Sequence, residues 1–121
     1  MNEDIARALR TDRTIDITTF GRSTGLPRRK EMAFFNFDGD IYLTGRPGKR
    51  DWYANLLANP RFIFHLKKSV SANLQATATP ITDPAHRLSV MHKINDFPTQ
   101  AESDAWLAES PLIRVTLIDL D

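Results

Sequence analysis

The sequence predicts a mainly β domain, a small closed or nearly closed barrel of six mostly antiparallel strands with three short inserted helices. Short segments rich in β-branched and aromatic residues recur along the chain, separated by Gly, Pro and Asp. Two of them flank the hairpin signal Asp38-Gly39-Asp40. The 121 residues are enough for one hydrophobic core, so we expect a single domain over residues 1–121.

The strands are predicted from apolar segments that end at turn residues. In the first, the β-branched residues Ile15, Ile17 and Thr18 precede Gly21. The second ends in aromatic residues on both faces, so we expect it to be covered on both sides. The fifth alternates small apolar with polar residues, which indicates one solvent-facing side. The six predicted strands span residues 13–20, 29–37, 41–44, 61–66, 72–79 and 112–120.

The helices are predicted from their end signals. A helix capped by Asp51 runs to residue 58 and stops before Pro60, because the residue preceding a proline is pushed out of the helical region. A second helix opens with Asp83-Pro84, a cap followed by proline at the first helical position. Thr99 with Glu102 three residues later is a capping-box signature for a third, through residue 108.

Composition excludes several classes of protein. Hydrophobic residues make up 41% and charged residues 26% of the chain, and no apolar run approaches the roughly 20 residues of a membrane span. The amino terminus lacks the apolar region of a secretory signal, so we expect a cytoplasmic protein without an integral membrane segment. Cysteine is absent, which removes disulfides, thiolate metal sites and cysteine nucleophiles.

The positive charge is concentrated in one part of the chain. The net charge is only +1, but the segment from Arg22 to Arg50 holds seven basic and three acidic residues, a local charge of +4. The remainder of the chain is therefore acidic. This distribution indicates a local anion site rather than a general nucleic-acid-binding surface.

Residues Gly21 to Gly25 spell G-x-S-x-G, the pattern of a hydrolase nucleophile elbow. An elbow requires a helix directly after the serine, whereas here Pro27 and a predicted strand follow. The histidines offer no clear base, and His86 and His92 are six residues apart, which is wrong for a zinc pair on one helical face. We therefore expect neither a serine hydrolase nor a metal site.

The same loop is well suited to holding an anion. Two glycines permit positive φ and close backbone approach, and neighbouring arginines supply charge. A second loop, Gly45-Arg46-Pro47-Gly48-Lys49-Arg50, repeats this chemistry before a predicted helix, whose first amides also favour an anion. If the two loops face one another, they bracket an anionic cofactor.

Several motifs follow one another in a fixed order through the first two thirds of the chain. They are Thr18-Thr19-Phe20-Gly21-Arg22, Gly25, Arg28 and Arg29, Asp38-Gly39, Tyr42-Leu43 and Trp52-x-x-Asn55-Leu56-x-Ala58-Asn59-Pro60. This pattern is similar to that of the deazaflavin-dependent nitroreductase and quinone reductase family, over residues 14–80. The resemblance implies a homodimeric six-stranded split β-barrel, a fold shared with pyridoxamine phosphate oxidase relatives, that binds coenzyme F420 or, in related branches, FMN.

The resemblance also implies which residues hold the cofactor. The arginines of the first loop would lie along the ring system and side chain, the cations of the second loop would face the phosphate, and the helix would shape the pocket. Core packing is an alternative role for the tryptophan, and capping of a backbone group for the asparagine. The implied cofactor-binding residues are Arg22, Ser23, Gly25, Arg28, Arg29, Thr44, Gly45, Arg46, Lys49, Arg50, Trp52 and Asn55.

The function implied by the resemblance is hydride transfer from reduced deazaflavin to a small-molecule acceptor such as a quinone, a nitroaromatic compound or an activated alkene. The cofactor performs this chemistry, so no catalytic side chain is assigned. An FMN-dependent oxidoreductase and a non-catalytic flavin-binding or deazaflavin-binding protein remain alternatives. A nucleic-acid-binding barrel ranks lowest, because Phe34, Phe35 and Phe37 are expected in the core.

Overall fold

The computed structural model describes residues 2–95 and 99–118, which form one curved antiparallel sheet with helices around it. The strand order is β2-β1-β5-β6-β7-β4-β3, and every neighbouring pair is antiparallel. The elements are α1 (Glu3–Thr11), β1 (Thr14–Phe20), β2 (Pro27–Ala33), β3 (Phe35–Phe37), β4 (Asp40–Thr44), α2 (Asp51–Ala58), β5 (Arg61–Leu66), β6 (Ala72–Pro80), α3 (Pro84–Ile94), α4 (Gln100–Glu109) and β7 (Leu112–Leu117).

The prediction of six strands is wrong, because the expected second strand is divided at Phe34. This side chain is 1% exposed, and its ring meets that of Phe64 edge-on at 5.4 Å between centroids. The Phe34 amide donates to Arg13 O at 3.0 Å, outside the β2 ladder. The chain therefore turns inward at Phe34, and the two halves of the expected strand become the opposite edges of a mainly β half-barrel.

The expectation that this segment is covered on both faces is also wrong for β2, where every residue except Met32 is exposed. At the other end of the chain, β7 ends at Leu117 rather than Leu120. Residues 119 and 120 of the expected strand lie outside the described residues. The predicted hairpin is confirmed, with positive φ at Asp38 (55°) and Gly39 (98°) as a tight two-residue turn requires.

The interior of the curved sheet holds the main core. Ile15 and Ile17 of β1 and Phe64 of β5 are fully buried there, as are Leu43 of β4 and Ile113 of β7. A smaller cluster packs α3 against β4 and β7. Burying such side chains contributes about 1.5–3 kcal/mol each relative to leaving them exposed. The two clusters hold β1 and β4 in place, and the loops that follow these two strands form the site described below.

Four helices are present among the described residues, and the sequence reasoning missed α1. Asn2 caps it by accepting from the amides of Asp4 and Ile5 at 2.7 and 3.2 Å. None of these helices is long and apolar enough to cross a membrane.

The predicted caps of the later helices are confirmed. Asp83 accepts from the His86 amide and Thr99 from the Glu102 amide. The cap proposed at Asp51 is wrong: Arg50 holds the N-cap position, without a side-chain cap bond.

Candidate functional site

A groove of about 920 Å³ lies where the end of β1 and the first loop meet the start of α2. Exposed residues of β2 form one wall, and the end of the second loop forms the other. The two glycine-bearing cationic loops therefore converge on a single cleft. The groove is lined by Thr19, Gly21, Arg22, Ser23, Thr24, Arg28, Arg29, Lys30, Lys49, Arg50, Asp51, Trp52, Tyr53, Ala54, Asn55 and Leu57.

Eight of the predicted cofactor-binding residues line this groove, namely Arg22, Ser23, Arg28, Arg29, Lys49, Arg50, Trp52 and Asn55. The other four, Gly25, Thr44, Gly45 and Arg46, are not among its lining residues. Thr44 Oγ1 donates to Pro111 O at 2.7 Å, and Gly45 lies against the Pro111 ring. These two positions hold the second loop against the carboxy-terminal part of the sheet.

The first loop is a turn between two strands. The Gly25 amide donates to Gly21 O and the Gly21 amide donates to Leu26 O, both at 2.8 Å. Gly25 has φ +70°, a left-handed conformation that a side chain would strain. β2 follows directly, so Ser23 is not on a strand-to-helix elbow, and the hydrolase reading fails on geometry.

Asn55 joins this loop to α2. The side chain is 3% exposed, and its Oδ1 accepts from both the Arg22 amide at 3.1 Å and the Arg22 guanidinium at 3.0 Å. Its Nδ2 donates to Thr19 Oγ1 at 3.3 Å. A second guanidinium nitrogen of Arg22 lies 3.3 Å from a carboxylate oxygen of Asp51. Asn55 thus caps a backbone group and also fixes the direction of the Arg22 side chain.

The second loop is stabilised by one of its own arginines. The Arg50 guanidinium donates to Lys49 O at 2.9 Å and to Arg46 O at 3.1 Å. Lys49, by contrast, lines the groove with no side-chain partner among the described residues. The first amides of α2 also lack a side-chain cap, so they add partial positive charge to this end of the groove.

Lys30 lines the groove, although it was not among the cofactor-binding residues predicted from the sequence. In the β1–β2 register, Arg28 stands opposite Thr19 and Lys30 opposite Ile17, so both cations share the inward face of β2. Neither has an ion-pair partner within the described ranges 2–95 and 99–118. The spacing of two residues along a strand was the signal that could have found Lys30.

The opposite face of β2 carries paired charges. Arg29 Nε donates to Asp16 at 2.9 Å, and Lys67 Nζ lies 2.7 Å from the other Asp16 oxygen and also contacts Glu31. The hydrogen bond from Lys67, and then that from Arg29, hold the pKa of Asp16 below its usual value. The bonds to Asp16 and then Glu31 raise the pKa of Lys67. Arg29 therefore reaches the groove with part of its guanidinium already engaged.

Trp52 lies where the main core meets the groove. It is 6% exposed and belongs to the main core, yet it also lines the groove. Its ring meets that of Tyr53 edge-on at 6.1 Å, so the two aromatic residues form an apolar part of the groove wall. The groove thus combines aromatic surface with unpaired cations.

The two remaining candidates, a histidine base and a metal site, can be compared with the structure. His65 is buried, with its ring nitrogens 2.7 Å from Thr18 Oγ1 and from Asn73 Oδ1, so both are engaged in the sheet. Among residues 2–95 and 99–118, no three His, Asp or Glu side chains are grouped so that they could hold a metal ion.

The protein is a curved antiparallel sheet with a basic, partly aromatic groove between two loops, a combination whose charge and shape suit an anionic ligand with an apolar part. A protein-family model described as F420H(2)-dependent quinone reductase matches residues 1–107. The chain belongs to this family. It is accordingly an F420-dependent oxidoreductase, and the family suggested by the motifs is confirmed.

Solved structures share the fold. A conserved hypothetical protein from Mycobacterium tuberculosis is 22% identical with a TM-score of 0.72, over 98% of this chain and 82% of that chain. A candidate pyridoxamine 5′-phosphate oxidase from Listeria innocua is 12% identical with a TM-score of 0.71, over 97% and 93%. An F420-H2 dependent reductase is 18% identical with a TM-score of 0.62, over 87% and 95%. These likenesses place the chain in the split β-barrel fold.

Proposed function

We propose that this protein uses reduced coenzyme F420 to transfer a hydride to a quinone, a nitroaromatic compound or an activated alkene. The observation that carries the proposal is the convergence of two cationic loops on one groove. We further propose that residues 1–121 act as one cofactor-binding domain. Membership of a quinone reductase family makes a quinone the first acceptor to test.

The residues present fit an anionic deazaflavin. The groove volume of about 920 Å³ falls within the usual range of cofactor pockets, roughly 300–1,000 Å³. Arg28, Lys30 and Lys49 supply cations that the described residues leave unpaired, and Trp52 with Tyr53 supplies apolar surface for a ring. Bound F420 would supply the hydride chemistry, which no side chain in the groove provides.

The groove residues then have distinct proposed roles. Lys49 and the first amides of α2 would hold the phosphate, while Arg28 and Lys30 would hold further anionic groups along β2. Arg22, directed by Asn55, would lie beside the ring. Arg29 and Arg50 line the groove mainly as supports of its walls, because Asp16 and the loop carbonyls engage them.

The first experiment compares two cations of one loop by titration with F420. We expect Lys49→Ala to weaken binding about 10–100-fold, because a charge-assisted hydrogen bond contributes roughly 1.5–3 kcal/mol. Arg46→Ala is the matched control, since Arg46 is exposed in the same loop but is not a groove-lining residue. Equal, unchanged affinities in both variants would remove the phosphate assignment. A parallel titration with FMN tests the flavin alternative, which predicts tighter binding of FMN than of F420.

We also propose that the protein is a homodimer. The exposed edge strand β2 supports this, because its outer backbone groups and the neighbouring Leu26, 54% exposed, are surfaces that a second copy would cover. Sedimentation equilibrium is expected to give twice the 13.8 kDa chain mass. A mass of one chain at micromolar concentration would contradict the proposal.

A further inference from the structure

One acidic residue lies among the cations of the groove. Six arginine and lysine residues line this surface, and Asp51 is the only carboxylate beside them among the described lining residues. Asp51 is also the first residue of α2, so it adjoins the helix amides that have no side-chain cap. A negative charge at this end of the groove repels the kind of ligand that the surrounding cations attract.

The stability of the fold does not require this carboxylate in the groove. The Asp51 side chain is 91% exposed, and one of its oxygens lies 3.3 Å from a guanidinium nitrogen of Arg22, whose side chain is 47% exposed. An ion pair so open to water contributes little to stability. Asn55 Oδ1 already accepts from the Arg22 guanidinium at 3.0 Å, so a second partner is not needed to direct that side chain.

The charge of Asp51 acts on a ligand in two ways. Its pairing with Arg22 neutralises part of the positive charge of the groove before a ligand arrives. It also repels a phosphate group held beside Lys49 and the first amides of α2. This repulsion grows in proportion to the charge of the phosphate, so a dianion loses about twice as much binding free energy as a monoanion.

We propose that Asp51 is a specificity-determining residue, which shifts the preference of the groove towards a phosphodiester with one negative charge and away from a phosphomonoester with nearly two. The inference rests on the proposed function, which puts the phosphate at the start of α2. Coenzyme F420 carries its phosphate as a diester, whereas the phosphomonoester of FMN has a charge of about −1.5 to −2 at pH 7. Asp51 therefore discriminates between the deazaflavin and the flavin by the charge of the phosphate, independently of the ring.

The test compares two ligands that differ by one charge. FMN and its methyl ester have the same ring and ribityl chain, but the ester is a phosphodiester. Titration followed by flavin fluorescence at constant ionic strength gives the Kd of each ligand for the unmodified protein and for Asp51→Asn. We expect D51N to lower the Kd for FMN about fivefold more than the Kd for the methyl ester, the effect of one unit charge a few ångströms away in solvent. The ratio of the Kd for FMN to the Kd for F420 should fall as well.

Two further variants separate charge from structure. Asp4→Asn removes an exposed carboxylate from the first turn of α1, where Asp4 pairs with Arg7 at 3.4 Å away from the groove, and should leave all three Kd values unchanged. Asp51→Glu keeps the charge and should keep the preference of the unmodified protein. Raising the salt concentration from about 0.05 M to about 0.5 M should reduce the difference between D51N and the unmodified protein, because exposed charges are screened.

The two levels of failure are distinguishable. If F420 does not bind the unmodified protein, the proposed function fails and this inference fails with it. If F420 binds, but D51N changes the Kd values for FMN and its methyl ester by the same factor, only the role of Asp51 is overturned. An equal change of preference in D51E and D51N would also overturn that role, because the charge would then not be its cause.

Discussion

The two faces of β2 carry basic residues in the same short stretch but use them differently. On the inward face, Arg28 and Lys30 line the groove and have no ion-pair partner among the described residues. On the outward face, Arg29 belongs to a network with Asp16 and, through it, Lys67. Paired charges hold strands together, whereas unpaired cations around a concave surface attract an anionic ligand. The difference separates structural from binding charges within one strand.

The largest effect should come from removing the inward-facing cations. We expect Arg28→Ala combined with Lys30→Ala to raise the Kd for F420 more than about 100-fold, because two charge-assisted contacts contribute roughly 1.5–3 kcal/mol each. Arg29→Ala is the comparison variant: Arg29 also lines the groove, but Asp16 engages its guanidinium, so the Kd should rise less, by no more than about threefold. Fluorescence titration at constant ionic strength measures both. Equal losses in the two variants would mean that the faces do not differ in function.

A smaller effect should follow from removing the residue that directs Arg22. Asn55→Ala removes the buried acceptor of the part-buried Arg22 amide bond and of the Arg22 guanidinium, so we expect a loss of about 2 kcal/mol in the free energy of unfolding and about a 10-fold rise in the Kd for F420. Urea denaturation and titration give the two numbers. Asn59→Ala, exposed at the end of the same helix, should change neither. A destabilised variant with normal affinity would show that Asn55 supports the fold alone.

The smallest effect is expected on the outward face, as a dependence of stability on pH. The pKa of Asp16 is lowered in the folded protein. Its ionised carboxylate therefore stabilises the fold fully at pH values above its pKa in the unfolded chain, about 3.9, and this stabilisation is lost as the pH falls through its pKa in the folded protein. The pKa of Lys67 is raised in the folded protein. Its ammonium group therefore stabilises the fold fully at pH values below its pKa in the unfolded chain, about 10.4, and this stabilisation is lost as the pH rises through its pKa in the folded protein.

Thermal unfolding measured from pH 2 to pH 5 follows the loss of stability on the acid side. Asp16→Asn should make this loss smaller, while Asp38→Asn, an exposed control in the hairpin turn, should leave it unchanged. If the stability of Asp16→Asn falls with pH in the same way as that of the unmodified protein, the ion pairs of the outward face contribute nothing measurable to stability.

Features of the fold that depend on adjacent residues were predictable from the sequence. The caps at Asp83 and Thr99 and the turn at Gly39 each rest on a local hydrogen bond or φ angle. The division at Phe34 was not, because the chain bends there to place a ring against Phe64, thirty residues away. The amino-terminal helix had a local signal in Asn2, which the reasoning passed over.

The candidate site was predictable to a similar degree. Glycines and cations in two loops indicate an anion site, and the loops do converge. Sequence alone could not distinguish Lys49, which is free to reach the groove, from Arg50, which bonds to loop carbonyls. That distinction depends on where each side chain points after folding. A second pocket, of about 580 Å³ between the second loop and the end of α4, could not be predicted either, because the residues that line it, such as Gly48 and Glu109, are far apart in the sequence.

The position of β7 in the sheet bears on how the protein is made by the ribosome. In the part of the chain that the structure describes, β3 pairs only with β4, and β4 meets the remaining strands only through β7. Every groove residue lies before residue 60, yet the hairpin that carries the second loop joins the sheet through Leu112–Leu117. The β3–β4 hairpin of the nascent chain can therefore join the sheet, and complete the groove, only after Leu112–Leu117 has left the ribosome.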